Sequence, residues 1–284
     1  MATITNQAAL SYNGITTLSN IAVGELVEVL TVTKTAADTT YTPGSTKTYA
    51  ISLVNSGAAA FTGLTITDTL GSYAFNNGTL YPLTYVTGSL LYYVNGILQA
   101  TPAIADTAPL TVTGLSVPAG GSAMLVYSAT VNEFAPLGVE DSIVNTVSVT
   151  GGGLAAPVTA TETINASTTP QLSISKSICP ATIAENGTLT YTLTLQNRGN
   201  TAATASDELV ITDTFDPILK DLSVSFNGTV WTEGVHYTYD AATGAFATVT
   251  GALTVPAATY TQDAATGIYT VDPGVSNLVV TGTL

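Results

Sequence analysis

LTVTKTAADTTYTPGSTKTYAISLVNSG, from Leu30 to Gly57, and LSISKSICPATIAENGTLTYTLTLQNRG, from Leu172 to Gly199, are one pattern written twice. In both copies apolar and polar residues alternate with period two, which marks strands buried on one face only. The matching continues along the chain. LTITDTL at Leu64 lines up with LVITDTF at Leu209, and AMLVYSATV ending at Val131 lines up with SNLVVTGTL ending at Leu284. Self-similarity on this scale means two domains of one kind. Asn-Gly pairs at Asn95-Gly96 and Asn227-Gly228, and DAATG runs at Asp240 and Asp263, supply tight-hairpin chemistry between short strands. The pattern predicts an all-β protein built of antiparallel sandwiches. Its expected parts are a donor strand over 1–15, a linker over 16–26, a first domain over 27–153, a Thr- and Ala-rich linker over 154–170, and a second domain over 171–284.

The repeat is broken at one place. In the first domain MLVYSATV is followed by a loop and then by IVNTVSVTGGG, Ile143 to Gly153, which reads as a closing strand. After the matching LVVTGTL the second domain has no such strand, whereas ITNQAALSYNG, Ile4 to Gly14, resembles it at the front of the chain. The spacing agrees as well: Asn6 precedes Lys34 by 28 residues and Asn145 precedes Lys176 by 31. An open sheet edge leaves rows of N–H and C=O groups unmatched, and an apolar-faced strand needs something to bury against. The expectation is strand donation: Ile4, Asn6, Ala8 and Leu10 of one copy enter the second domain of the next. Because donor and acceptor surfaces differ, such a contact runs head to tail.

Residues two apart in a strand share a face. By that rule Lys34 lies with Leu30 and Val32, Asp68 with Leu64 and Ile66, and Asn145 with Ile143 and Val147. Lys176 and Asp213 occupy the matching places of the second repeat, and Asn6 is the only counterpart of Asn145. Each domain thus aims a Lys, an Asp and an Asn at its core. A bare buried charge is costly, so the three must act together. One reading is a buried ion pair completed by an amide. The other is a spontaneous isopeptide bond. Burial favours a neutral, nucleophilic amine, and it keeps a proton on the carboxyl that polarises the carboxamide. On that reading Lys34 joins Asn145 with Asp68 as acid, and Lys176 joins Asn6 of a neighbouring copy with Asp213 as acid.

These motifs (TKT or SKS on the first strand, TYxIxLxNxG, TDTL, and an NTxxVTG closing strand) resemble the bacterial surface repeat catalogued as domain of unknown function number eleven. The resemblance covers nearly the whole chain. It implies immunoglobulin-like sandwich domains in tandem, surface location, and bond-forming roles for Lys34, Asp68 and Asn145, with Lys176 and Asp213 following by the same motif. A two-repeat member of this kind looks most like the subunits of clostridial spore appendages. That implies a spore-surface or extracellular fibre whose partners are further copies of itself and other spore-surface proteins.

Composition narrows the function classes. Only 8% of the 284 residues are charged and the formal net charge is −14, which repels phosphate backbones and anionic membrane surfaces. Neither nucleic acid nor membrane is an expected partner. The first twenty residues have no basic start and no apolar run, so no classical signal peptide is expected. Cys179, the single cysteine, forms no internal disulfide and reads as a small buried side chain beside Pro180. His236 reads as a strand residue beside Tyr237 and Tyr239, with no metal partners in sequence. Trp231 reads as a hairpin aromatic packed on its neighbour. No cofactor, no metal and no turnover of an external substrate are expected. The function expected is a self-assembling structural subunit, and the alternative is a surface adhesin using the hairpins between Val230 and Thr270.

Overall fold

The computed structural model describes residues 2–284 and is all-β, with two immunoglobulin-like sandwich repeats. Among the described residues the only helical piece is a single 3-10 turn at Ala205–Asp207. The chain divides into two compact units. One runs to Thr39 and takes in Thr46–Val131 and Val144–Thr163; the other gathers Thr40–Ser45, Asn132–Ile143 and Ile164–Leu284.

In the first repeat one sheet has the strand order Leu91–Val94, Ser122–Val131, Thr46–Asn55, Leu30–Ala36. The facing sheet runs Ala103–Thr107, Leu110–Val117, Phe61–Asp68, Ser142–Gly151, Val158–Ala166. Alternation puts Tyr49, Ile51 and Leu53 inward from one sheet, and Leu64, Ile66, Val147 and Val149 inward from the other. Phe61–Asp68 is paired on both sides, Asp68 standing opposite Leu110 on one edge and Val147 on the other. The glycine at the end of the closing strand is required. Gly151 has φ 81°, and a Cβ there would meet the Gly63 carbonyl oxygen at 2.8 Å.

The second repeat has the order Leu172–Cys179, Thr188–Asn197, Gly274–Thr283, Lys220–Phe226, Thr229–Trp231, facing a shorter sheet of Thr212–Thr214, Ala245–Thr248 and Tyr237–Asp240. Its core gathers Leu193, Leu195, Phe215, Phe246, Leu278 and Val280. Equivalent asparagines hold the same bend in each repeat. The Asn55 amide donates to Ala59 O (2.8 Å) and Pro118 O (2.9 Å) and its carbonyl accepts from Gly57 N. Asn197 donates to Thr201 O (2.7 Å) and Pro256 O (3.0 Å) and accepts from Gly199 N.

Several sequence expectations are corrected. Residues 16–26 are not a linker: Ile15–Leu18 and Ala22–Leu26 are the return arm of a hairpin whose outgoing arm is Ala2–Asn6 and Ala9–Tyr12. The hairpin turns at Asn13 (φ 46°) and Gly14 (φ 77°), the same Asn-Gly chemistry seen at Asn95 and Asn227. Ala8 falls in the kink between the two strand pieces, where its N–H binds Ser19 Oγ and its carbonyl accepts from Ser19 N. Likewise 154–170 is not all linker, since Val158–Ala166 is a strand of the first repeat's sheet. Cys179 is exposed rather than buried, because Leu172–Cys179 carries no covering strand on its face. His236 lies in the turn before Tyr237–Asp240. There it stacks on Trp231 at 5.3 Å and accepts from Thr232 N. Trp231 packs on Phe226 across the Asn227-Gly228 turn, as expected (5.0 Å).

Candidate functional site

The first repeat brings Lys34, Asp68 and Asn145 together between its two sheets. All three are buried. Lys34 comes from the edge strand of one sheet, while Asp68 and Asn145 come from adjacent strands of the other. Lys34 Nζ donates to Asp68 Oδ2 at 2.6 Å, with both side chains fully enclosed. Burial drives the Lys34 amine down to about 8, against the upward pull of Asp68 and Glu162. The ammonium also lies 5.1 Å from the centre of the Tyr49 ring.

Tyr127, on the strand paired with that of Tyr49, was not singled out in the sequence. Its hydroxyl donates to Asp68 Oδ2 at 2.7 Å and accepts from Asn145 Nδ2 at 3.2 Å. It therefore bridges the acid and the amide. Its ring stacks on Tyr49 at 5.4 Å. Burial, and after it the Asp68 charge, pushes the Tyr127 phenol well above its ordinary value and raises Tyr49 in the same way. The Tyr49 hydroxyl makes no hydrogen bond of ordinary geometry among the described residues.

The Asn145 carbonyl oxygen accepts from Gly71 N (3.2 Å) and Thr69 Oγ1 (3.3 Å), and Asp68 Oδ1 accepts from Leu70 N (3.1 Å). A left-handed pair, Leu70 (φ 51°) and Gly71 (φ 71°), bends the chain so that these consecutive N–H groups face the site. The sequence signal for this cradle was the glycine following TDTL. The second repeat has Asp216 in its place.

In the second repeat Lys176 and Asp213 meet in the same way, with Nζ 2.5 Å from Oδ2, yet their side chains are 39% and 17% exposed. The ammonium sits 4.4 Å from the Tyr191 ring centre and 5.3 Å from that of Phe215. Every residue of Leu172–Cys179 is exposed, Ile174 and Ile178 included. Thr212–Thr214 pairs only with Ala245–Thr248, and among the described residues no strand takes its other edge. Tyr127 is replaced by Val280, which stands opposite Tyr191 as Tyr127 stands opposite Tyr49.

The expected donor residues lie on the N-terminal hairpin. Asn6 pairs with Ala22, and the side chains of Ile4, Asn6, Ala8 and Leu10 are all exposed. So are Tyr12, Ile15, Leu18 and Val23 on the same hairpin. No helix among the described residues is long and apolar enough to cross a membrane.

No family model matches this sequence, and no curated protein matches it. Among solved structures the chain is similar to the pilus backbone protein RrgB of Streptococcus pneumoniae, at 11% identity and TM-score 0.33, covering 86% of this chain and 55% of that one. It is also similar to the major pilin subunit BcpA of Bacillus cereus, at 14% identity and TM-score 0.37, covering 96% and 73%. A third is the collagen-binding subdomain of the Enterococcus faecalis surface protein ACE, at 8% identity and TM-score 0.31, covering 49% and 98%. The chain spans about half the length of the RrgB protein.

Proposed function

We propose that this protein is a structural subunit of a surface fibre, a spore appendage being the setting its motifs suggest, and that copies join head to tail. The N-terminal hairpin of one copy fills the bare side of the next copy's second repeat. Once seated, it takes the place that Ser142–Gly151 and Val158–Ala166 hold in the first repeat. The observation that carries this reading is the open edge of Thr212–Thr214 beside an uncovered Leu172–Cys179, in a domain whose twin has both covered.

The hairpin has the form the gap calls for. From Asn6 the Asn13-Gly14 turn follows at the distance at which the Gly152-Gly153 turn follows Asn145, seven residues on. Its apolar side chains are exposed in the single chain, and seating them removes them from water at roughly 25 cal/mol per Å². Lys176 and Asp213, 39% and 17% exposed in the single chain, become enclosed, and Asn6 arrives where Asn145 sits in the first repeat.

Both sites then form amide bonds. In the first repeat Lys34 attacks Asn145 and ammonia leaves, with Asp68 as the acid. Between copies Lys176 joins Asn6, with Asp213 as the acid. The first bond stiffens the subunit and the second makes the fibre irreversible. Electron microscopy of the purified chain tests assembly, and mass spectrometry of the digested polymer tests the joint. Filaments in which the Lys176 peptide is linked to the Asn6 peptide are the expected result. A persistent monomer with an unmodified mass would overturn the reading.

A further inference from the structure

We propose that Tyr127 is a catalytic residue of the Lys34–Asn145 bond, carrying the proton of Asp68 to the Asn145 nitrogen that departs as ammonia. This rests on the bond proposed above and adds a group to it that the sequence repeat does not share.

The geometry assigns each atom a task. Asp68 Oδ2 holds both the Lys34 amine (2.6 Å) and the Tyr127 hydroxyl (2.7 Å), so one carboxyl oxygen faces the nucleophile and the relay. The relay in turn touches Asn145 Nδ2 (3.2 Å), the atom that must leave. No hydrogen bond joins Asp68 directly to that nitrogen among the described residues, and the phenol spans the gap. The Asn145 carbonyl oxygen, where negative charge develops, already rests against Gly71 N–H and the Thr69 hydroxyl.

The step balances without a further reactant. The reaction starts when the proton shared across the 2.6 Å contact passes from Lys34 Nζ to Asp68 Oδ2, which leaves the amine neutral. Lys34 Nζ forms a bond to Asn145 Cγ. Tyr127 gives its proton to Nδ2 and takes the one on Asp68. The Cγ–Nδ2 bond breaks, ammonia departs, and the Asp68 carboxylate removes the surplus proton from Nζ. One amide is exchanged for another, and Tyr127 ends as it began. Its high phenol pKa suits this task, since it never holds a lasting negative charge.

Tyr85 provides the internal control. Its ring lies 6.4 Å from that of Tyr127 and is buried with it, but its hydroxyl makes no hydrogen bond among the described residues. Cell-free synthesis of the full chain, followed by intact mass over time, reads the rate at which one ammonia is lost. Tyr127→Phe should slow that loss by about a hundredfold, the low end for general acid catalysis. Tyr85→Phe should leave it unchanged, and Asp68→Asn should abolish it. If Tyr127→Phe loses ammonia as fast as the wild type while Asp68→Asn does not react, the relay is wrong and the bond stands. If the wild type keeps its full mass, the bond and the relay fall together. Should Tyr127→Phe not fold, 3-fluorotyrosine placed at 127 keeps the ring and strengthens the acid. Its rate and pH profile should shift, and identical curves would overturn the proposal.

Discussion

The Leu30–Ala36 and Leu172–Cys179 strands carry the same motif and each pairs antiparallel with the long strand that follows it, yet Lys34 is enclosed and Lys176 stands 39% open. The difference does not come from the strands. It comes from what faces them: Ser142–Gly151 and Val158–Ala166 complete the opposite sheet of the first repeat, and nothing among the described residues does so in the second. One lysine–aspartate pair thus appears in two dielectric settings within a single chain. That makes the molecule its own control for what burial does to an ion pair.

The comparison is broken most completely by removing the hairpin. A chain lacking residues 1–26 should fold its first repeat and form no filaments in size-exclusion chromatography or electron microscopy. A synthetic peptide spanning residues 2–26 should raise the melting temperature of its second repeat. Filaments from the truncated chain would show that the bare edge is not the acceptor.

A milder cut separates seating from bonding. Asn6→Ala keeps the apolar side chains of the hairpin, so filaments should form but fall apart in boiling detergent. Lys176→Ala should behave the same way, whereas Lys34→Ala should leave the covalent ladder on a denaturing gel intact. Equal resistance of Asn6→Ala and wild-type filaments would exclude the intermolecular bond.

Stability sharpens the contrast further. Lys34→Ala strands a buried Asp68 and should cost about 3–5 kcal/mol or more in denaturant unfolding of the first repeat. Lys176→Ala removes a half-exposed partner and should cost less than about 1 kcal/mol in the monomer. Similar losses at the two sites would mean that enclosure does not set the value of the pair.

The smallest effect is a pH slope. In Asn145→Ala no bond forms and Lys34 remains free to titrate. Unfolded, it holds its proton up to 10.5, but folded only to about 8. From about pH 8 to about 10, below the ionisation of unfolded Tyr49 and Tyr127, the unfolded chain binds more protons, so stability should rise with pH by at most about 1.4 kcal/mol per unit. Below about pH 8 both states are protonated and this contribution is flat. A first repeat that weakens over that window by chemical denaturation would contradict the enclosed amine.

The positions of Lys34, Asp68 and Asn145 were legible because strand alternation is a local rule: inward residues follow from counting by two. Tyr127 was not legible, although it also faces inward. An inward tyrosine is ordinary core, and only the pairing of its strand with that of Tyr49 places its hydroxyl between Asp68 and Asn145. The Thr69–Gly71 cradle is hidden in the sequence for a related reason. It depends on a left-handed bend at Leu70, a conformation that leucine rarely adopts and that its identity does not announce.

The N-terminal segment divides the two kinds of information most clearly. The likeness of Ile4–Gly14 to Ile143–Gly153 marked it as a strand without a sheet, and Asn13-Gly14 carried a hairpin signal as plain as those at Asn95 and Asn227. What pairs with what across long stretches of chain was decided only by tertiary structure. Backbone hydrogen bonds are alike for every residue, and the choice among partners rests on which apolar faces can be buried together. Sequence therefore determined which side of each strand faces inward. The fold determined that in the first repeat those sides meet a second sheet, and that around Lys176 they are left open.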